Sequence, residues 1–216
     1  MASSSRNYTA PIRQVIKKLI RSLVLQVPQR DELWLNTLYA TYSLRLVPQS
    51  ISVDLGSGPR PKNPFQACHA KGLDIAAYDN VDYCDLALGN LPYSDNTIDA
   101  FTAYDVLEHI PRAWPQLSGV DGKQSITQFP FVKLMNSIHA ALKPGGAFFA
   151  IYPAYPWPMA FQDPTHINIM TEDTMTLYFC GRPPWAGIYG FNGRFDMLEE
   201  AWIGAHHCVL LAKPRA

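Results

Sequence analysis

The residues best placed to do chemistry lie in residues 51–58, ISVDLGSG, and in GLDI at residues 72–75. A short apolar run from Ile51 to Leu55 breaks at Gly56-Ser57-Gly58, as a buried strand does when it ends in a turn where the backbone must approach something closely. Glycines there remove the Cβ atoms that would hold a ligand off the main chain, and successive N–H groups can face a polar group. Sixteen residues beyond Gly58, Leu73-Asp74 stands where the next parallel strand of an open α/β sheet would end. A carboxylate at that place can accept both hydroxyls of a ribose. Alone, the Gly-x-Gly is a weak signal, because Pro59-Arg60-Pro61-Lys62 follows and the third glycine of a dinucleotide fingerprint is missing. A tight turn between two ordinary strands is the other reading.

Two of the six histidines have an argument for proton transfer, which suits an imidazole with its pKa of about 6.5. His109 follows Glu108 just after the strand expected over residues 97–103, and His166 sits in FQDPTHIN, after the strand expected over residues 147–152. Both therefore fall at the carboxyl edge of the sheet. Asp163 can orient His166 or simply form an Asx turn at Asp-Pro, and His109 can equally cap or pack. His139 lies on a helix, while His69 and the His206-His207 pair have no functional argument. Asp105, Asp163 and His166 can together hold a divalent cation, but no ligand spacing requires it and no metal is expected.

The elements that must position these groups come next. From residue 11 to 27 the pattern is helical, with Ile12, Val15, Ile16, Leu19, Ile20, Leu23 and Val24 on one stripe and Arg13, Lys17, Lys18 and Arg21 opposite. Such a basic face can touch an anionic membrane surface, or the stripe can pack on its own domain with the charges solvated. A second helix is expected over residues 31–46, with Leu33, Trp34, Leu38 and Tyr42 inward. Pro59, Pro61 and Pro64 bar a regular helix until after Pro64. Residues 104–110 read as the start of a helix, 111–122 as a loop and 127–142 as a helix stopped by Lys143-Pro-Gly-Gly146. After a proline-rich loop, a helix over residues 171–179 capped by Thr171 leads to an antiparallel pair at 195–203 and 208–213. Strand–helix alternation ending in a hairpin predicts an α/β sheet with helices on both faces.

Composition sets bounds on the class. A chain of 216 residues with 48% hydrophobic and 17% charged residues buries a full globular core. Eighteen basic against eighteen acidic side chains leave no net field, which argues against a nucleic-acid partner. Cys68, Cys84, Cys180 and Cys208 are scattered, so neither a zinc site nor a disulfide framework is suggested. No run approaches the roughly 18 apolar residues of a membrane span, the start lacks the order of a secretory signal, and a cytoplasmic protein is expected.

VDLGSG, GLDI, DLALGNLPYSDNTIDAFTAYDVLEHI and LKPGGAFFAIYP resemble, in order and spacing, class I S-adenosylmethionine-dependent methyltransferases. The resemblance covers residues 51–153 and the C-terminal hairpin, and DLGSGPRPKNPF with FQDPTHIN looks more like small enzymes of bacterial surface-polysaccharide and secondary-metabolite pathways. It implies a Rossmann-like, mostly parallel sheet with a C-terminal antiparallel hairpin and extra N-terminal helices. Residues 1–49 would form a helical extension or lid and 50–216 the methyltransferase domain. The cofactor it implies is S-adenosyl-L-methionine: Gly56, Ser57 and Gly58 under the methionine and ribose, Asp54 on the amino group, and Asp74 with Ile75 at the ribose. Asp85 would take the adenine amine, Leu86 the ring face, and Tyr104 would line the transfer site; turn capping by Asp85 and core filling by Leu86 are the bland readings. Methyl transfer to a small hydroxylated acceptor such as a sugar is expected, with His166 as base, Asp163 orienting it and His109 the second candidate. An amine, carbon or carboxylate acceptor, or a non-catalytic cofactor-binding relative, is the alternative.

Overall fold

The computed structural model describes residues 27–118 and 124–215. The basic helix expected over residues 11–27, with its membrane contact, lies outside the described residues except for Val27. Among the described residues no helix is long and apolar enough to cross a membrane.

Period-2 burial on the strands builds one core on each side of a sheet. In chain order the first strands are β1 (Ile51–Leu55), β2 (His69–Asp74), β3 (Asp82–Tyr83) and β4 (Ile98–Tyr104). A separate hairpin of β5 (Trp114–Ser118) and β6 (Gln124–Gln128) precedes β7 (Leu142–Pro153), β8 (Asp196–Ile203) and β9 (His206–Ala212). The seven-stranded sheet runs β3-β2-β1-β4-β7-β9-β8, parallel through β7 and antiparallel from there on. Val53, Leu55, Phe101, Phe148, Val209 and Leu211 point to one core, and Ala100, Phe149, Cys208 and Leu210 to the other. Helix α2 (Pro130–Ala141) covers the first through Phe131, Leu134, Met135 and Ile138, while α1 (Glu32–Thr41) covers the second through Leu38.

Helices on both faces, the mostly parallel sheet and the terminal hairpin agree with the expected fold; several connections do not. Helix α1 is shorter than expected, capped by Asp31 and ending at Thr41, and Leu33 points outward at 72% exposed while Trp34, Leu35 and Tyr39 join Leu38 on the sheet. No helix forms between β1 and β2, before or after Pro64. Phe65 fills that place instead, fully buried and edge-on to Tyr39 and Phe149 at ring distances of 5.6 and 6.4 Å. The helix expected from Tyr104 is a single 3-10 turn at Leu107–His109, because Asp105 adopts φ +51° and Pro111 follows at once. Residues 111–122, expected as loop, contain β5, and its partner β6 delays α2 to Pro130. Helix α3 (Met159–Gln162) is one turn, and α4 (Asp173–Phe179) starts past Thr171, whose N–H donates to Thr174 Oγ1.

Register decides what shares an edge. Leu55 lies opposite both Leu73 and Ala103, Tyr104 opposite Ile151, and Pro153 opposite His206. The glycine turn, Asp74, Tyr104 and His206 therefore gather along one edge, where an open α/β sheet binds its ligands.

Candidate functional site

The turn after β1 is shaped by two glycines in the left-handed region, Gly56 at φ +62° and Gly58 at φ +57°. A Cβ on Gly56 would stand 2.5 Å from Val106 Cγ2, so close packing against the segment after β4 demands that glycine. A Cβ on Gly58 would meet nothing within 4 Å, which leaves open space over the backbone there. The Gly58 N–H donates to Asp74 Oδ2 at 2.8 Å, and Asp74 Oδ1 accepts from the Ala76 N–H at 2.9 Å. Ser57 is buried, its N–H donating to the Leu73 carbonyl and its hydroxyl to the Gly58 carbonyl. Ile75 beside Asp74 is 65% exposed, an apolar surface next to a ribose-type carboxylate. These residues fit an adenosyl group.

Three expected contacts have other occupations in this structure. Asp54 is buried on the α1 side of the sheet, where Oδ1 accepts from Thr102 Oγ1 at 2.7 Å and Oδ2 from the Lys62 N–H at 2.8 Å; burial raises its pKa. It thereby ties down the proline-rich crossover. Asp85 caps the 3-10 turn Leu86–Leu88 by accepting from the Ala87 N–H, and Leu86 is buried in the core. Tyr104 is half-buried, its hydroxyl 2.9 Å from Tyr39 Oη and its ring 4.3 Å from Lys62 Nζ; burial drives its pKa upward. These two tyrosines and Lys62 line a cleft of ≈ 550 Å³ between α1 and residues 62–66.

Beyond Tyr104 the chain brings together groups that are remote in sequence. Asp105 and His206 form an ion pair, Oδ1 to Nε2 at 3.1 Å, that raises the His206 pKa. Asn168 staples the loop after α3 to the 3-10 turn: its N–H donates to the Glu108 carbonyl, its Nδ2 to the Leu107 carbonyl, and its Oδ1 accepts from Arg112 Nε at 2.7 Å. That staple sets His166 edge-on to His109, ring centroids 4.9 Å apart. Asp163 makes the Asx turn, Oδ1 accepting from the Thr165 N–H and Oγ1, which holds its carboxyl below the usual range; Oδ2 lies 4.0 Å from His166 Nε2. Glu108, 1% exposed, has no well-formed hydrogen bond at either oxygen. Burial pushes its pKa up to about 7, its own N–H opposes that, Asp105 and Asp163 reinforce it, and His206 opposes it.

The structure thus places His109, His166 and Asp163 together, as the sequence suggests, and adds Glu108, Asn168, Arg112 and His206. A carboxylate inside the apolar run Val106-Leu107-Glu108-His109-Ile110 was the one available signal for Glu108. Next to the staple, Arg112 and Asn168 open on a cleft of ≈ 460 Å³ lined by Phe129, Phe131, Tyr178, Phe179 and Tyr189.

No protein-family model matches the chain, and no curated protein matches its sequence. Solved structures do resemble it. Geranyl diphosphate C-methyltransferase from Streptomyces coelicolor A3(2), solved with Mg2+, geranyl diphosphate and S-adenosyl-L-homocysteine, is similar over 99% of this chain and 88% of its own, at 13% identity and TM-score 0.51. The [4+2]-cyclase SpnF is similar over 84% and 80%, at 15% identity and TM-score 0.50. Protein PH0226 from Pyrococcus horikoshii OT3 is similar over 84% and 91%, at 12% identity and TM-score 0.50. At these identities the likeness shows the fold, the Rossmann-like sheet of class I methyltransferases.

Proposed function

We propose that the chain is an S-adenosylmethionine-dependent methyltransferase that acts on a hydroxyl of a small ring-bearing acceptor, a sugar among the candidates. The observation that carries the reading is the Asp74–Gly58 bond across the mouth of the turn: a carboxylate and an unobstructed backbone are held together at a strand edge. Gly56, Ser57 and Gly58 would lie under the cofactor, Asp74 and Ile75 at the ribose and Tyr104 toward the methionine end. Asp85 and Leu86 would shape the adenine side by capping and packing the 3-10 turn, and Asp54 would act indirectly by anchoring the crossover. When bound, the cofactor supplies a methyl group already activated on a sulfonium. The chain's own work is alignment, which can supply several kcal/mol, and removal of the acceptor proton.

His206 takes that proton in this proposal. Its Nε2–H donates to Asp105 Oδ1, which leaves Nδ1 as the acceptor on a partly exposed ring, the arrangement of an imidazole base held by a carboxylate. His166, the first expectation, is more enclosed, with Nδ1 donating to the Met159 carbonyl and Nε2 facing Glu108. The aromatic cleft beside Asn168 offers ring faces and the Arg112 guanidinium, held in place by Asn168 Oδ1, which suits a flat acceptor carrying polar groups.

The same architecture serves a cyclase among the similar structures, so the product must be read directly. Calorimetry should show saturable, one-to-one binding of S-adenosylmethionine, weakened at least tenfold in Asp74→Ala, with circular dichroism confirming that the variant, which loses two hydrogen-bond acceptors, is still folded at the assay temperature. Mass spectrometry with labelled donor and a panel of hydroxylated acceptors should find a methylated product and S-adenosylhomocysteine. Flat heats with the wild-type chain would remove the proposal.

A further inference from the structure

We propose that Glu108, His109 and His166 form a binding site for one divalent first-row transition-metal ion at the carboxyl edge of β4. One carboxylate oxygen and one ring nitrogen from each histidine lie within 4.8 Å of one another. Ligands of a single ion stand about 3 to 3.5 Å apart at metal–ligand distances near 2.1 Å, so side-chain rotations of about an ångström close the set. Two imidazoles and one carboxylate are the donors that manganese, iron, cobalt and zinc accept, and three protein ligands leave positions free for water or an acceptor oxygen.

The outer contacts already suit ligation. His166 Nδ1 is 3.1 Å from the Met159 carbonyl, and His109 Nδ1 is 3.2 Å from the Thr165 carbonyl. A carbonyl only accepts, so both rings carry their proton on Nδ1 and the lone pair on Nε2. Thr165 Oγ1, 3.0 Å from the same His109 nitrogen, itself donates to Asp163 Oδ1, which fixes the polarity of that chain of bonds. Rings locked in one tautomer by a second hydrogen bond are how proteins prepare imidazoles for a metal.

Glu108 supplies the independent observation. A buried carboxyl without a well-formed hydrogen bond carries a desolvation cost that its own N–H and the His206 charge offset only in part. His166 Nε2 is 3.9 Å from Oε1, too far for a hydrogen bond. A dication held by both groups satisfies the carboxylate, and Asp163 and Asp105 nearby add to the negative potential that attracts it.

The ion site stands apart from the proposed methyl transfer; only a role for the ion in polarising an acceptor hydroxyl rests on that reading. The test uses the full chain without an affinity tag, stripped with chelator and titrated with Co2+ alone. Saturable visible absorption at one cobalt per chain, displaced by Zn2+, is expected. Glu108→Gln and His166→Ala should each weaken the cobalt affinity at least tenfold, while His69→Ala, which alters an exposed histidine elsewhere, should leave it unchanged. Circular dichroism of the stripped variants confirms folding, and His109→Ala stands in for any that fails. Absence of a saturable band, or a band that survives in folded Glu108→Gln and His166→Ala, would overturn the site. S-adenosylmethionine calorimetry on the same stripped protein keeps the two readings apart: heats without cobalt binding defeat the ion site alone, and cobalt binding without heats defeats the methyl-transfer reading alone.

Discussion

At the scale of single residues, the two glycines of the first turn make different demands although their backbones are alike. Alanine at Gly58 adds left-handed strain of about 1 kcal/mol and no collision. Alanine at Gly56 adds the same strain and drives its Cβ into Val106, for a total of roughly 2–4 kcal/mol. Thermal melts should therefore rank wild type, Gly58→Ala and Gly56→Ala in that order, and Gly58→Ala, still folded, should bind S-adenosylmethionine more weakly because its methyl occupies the open space. His206 gives a second residue-scale expectation. The hydrogen bond to Asp105 raises its pKa, burial opposes this, and the Asp105 and Glu108 charges add to the rise. A base acts when neutral, so kcat/KM should climb with pH through the His206 pKa, and Asp105→Asn should move that climb to lower pH and reduce the plateau. For stability the sign is opposite. The raised folded pKa contributes stability that is fully present below about pH 6.5 and lost as pH rises through the folded value, and Asp105→Asn should flatten that slope in denaturant titrations.

At the scale of elements, the crossover from β1 to β2 shows how a sequence covers a sheet without a helix. Three prolines remove donors over residues 59–64, and the chain answers with side-chain anchors: Asp54 accepts the Lys62 N–H, and Asn63 exchanges two hydrogen bonds with Ala67. Phe65 then supplies the apolar cover. Phe65→Ala should cost about 3–5 kcal/mol, since neither Tyr39 nor Phe149 can collapse into the space without leaving the sheet, and Phe65→Leu should recover most of it; chemical denaturation measures both. The 3-10 turn after β4 is the counterpart on the functional side. Its direction is fixed by the left-handed Asp105 and by Asn168, and so the loop carrying His166 is delivered to the turn carrying His109.

At the scale of the whole molecule, a sheet with a core on each side holds seven strand ends in register, and the charges balance to zero over the chain. Parallel order through β7 means that β1, β2, β4 and β7 all end on the same edge, while β9, running back from that edge, begins there. A long-range arrangement of this kind collects short groups of functional residues, from the glycine turn at Gly56 to His206, that are remote from one another in sequence.

Local patterning was enough to read the main strands of the large sheet, the glycine turn, the place of Asp74 at a strand end and the terminal hairpin, because burial period and backbone sterics are properties of a few adjacent residues. It also put His109, His166 and Asp163 at the carboxyl edge of the sheet, since strand ends can be counted along the chain. It misjudged the segment after Tyr104 and the hairpin of β5 and β6, where a left-handed aspartate and cross-strand pairing override helical spacing. The partnering of Glu108 with two histidines, of Asp105 with His206, and of Asn168 with the turn was decided only by the tertiary structure. Each depends on distances between strand ends, and those are set by sheet order and register, which sequence spacing does not encode.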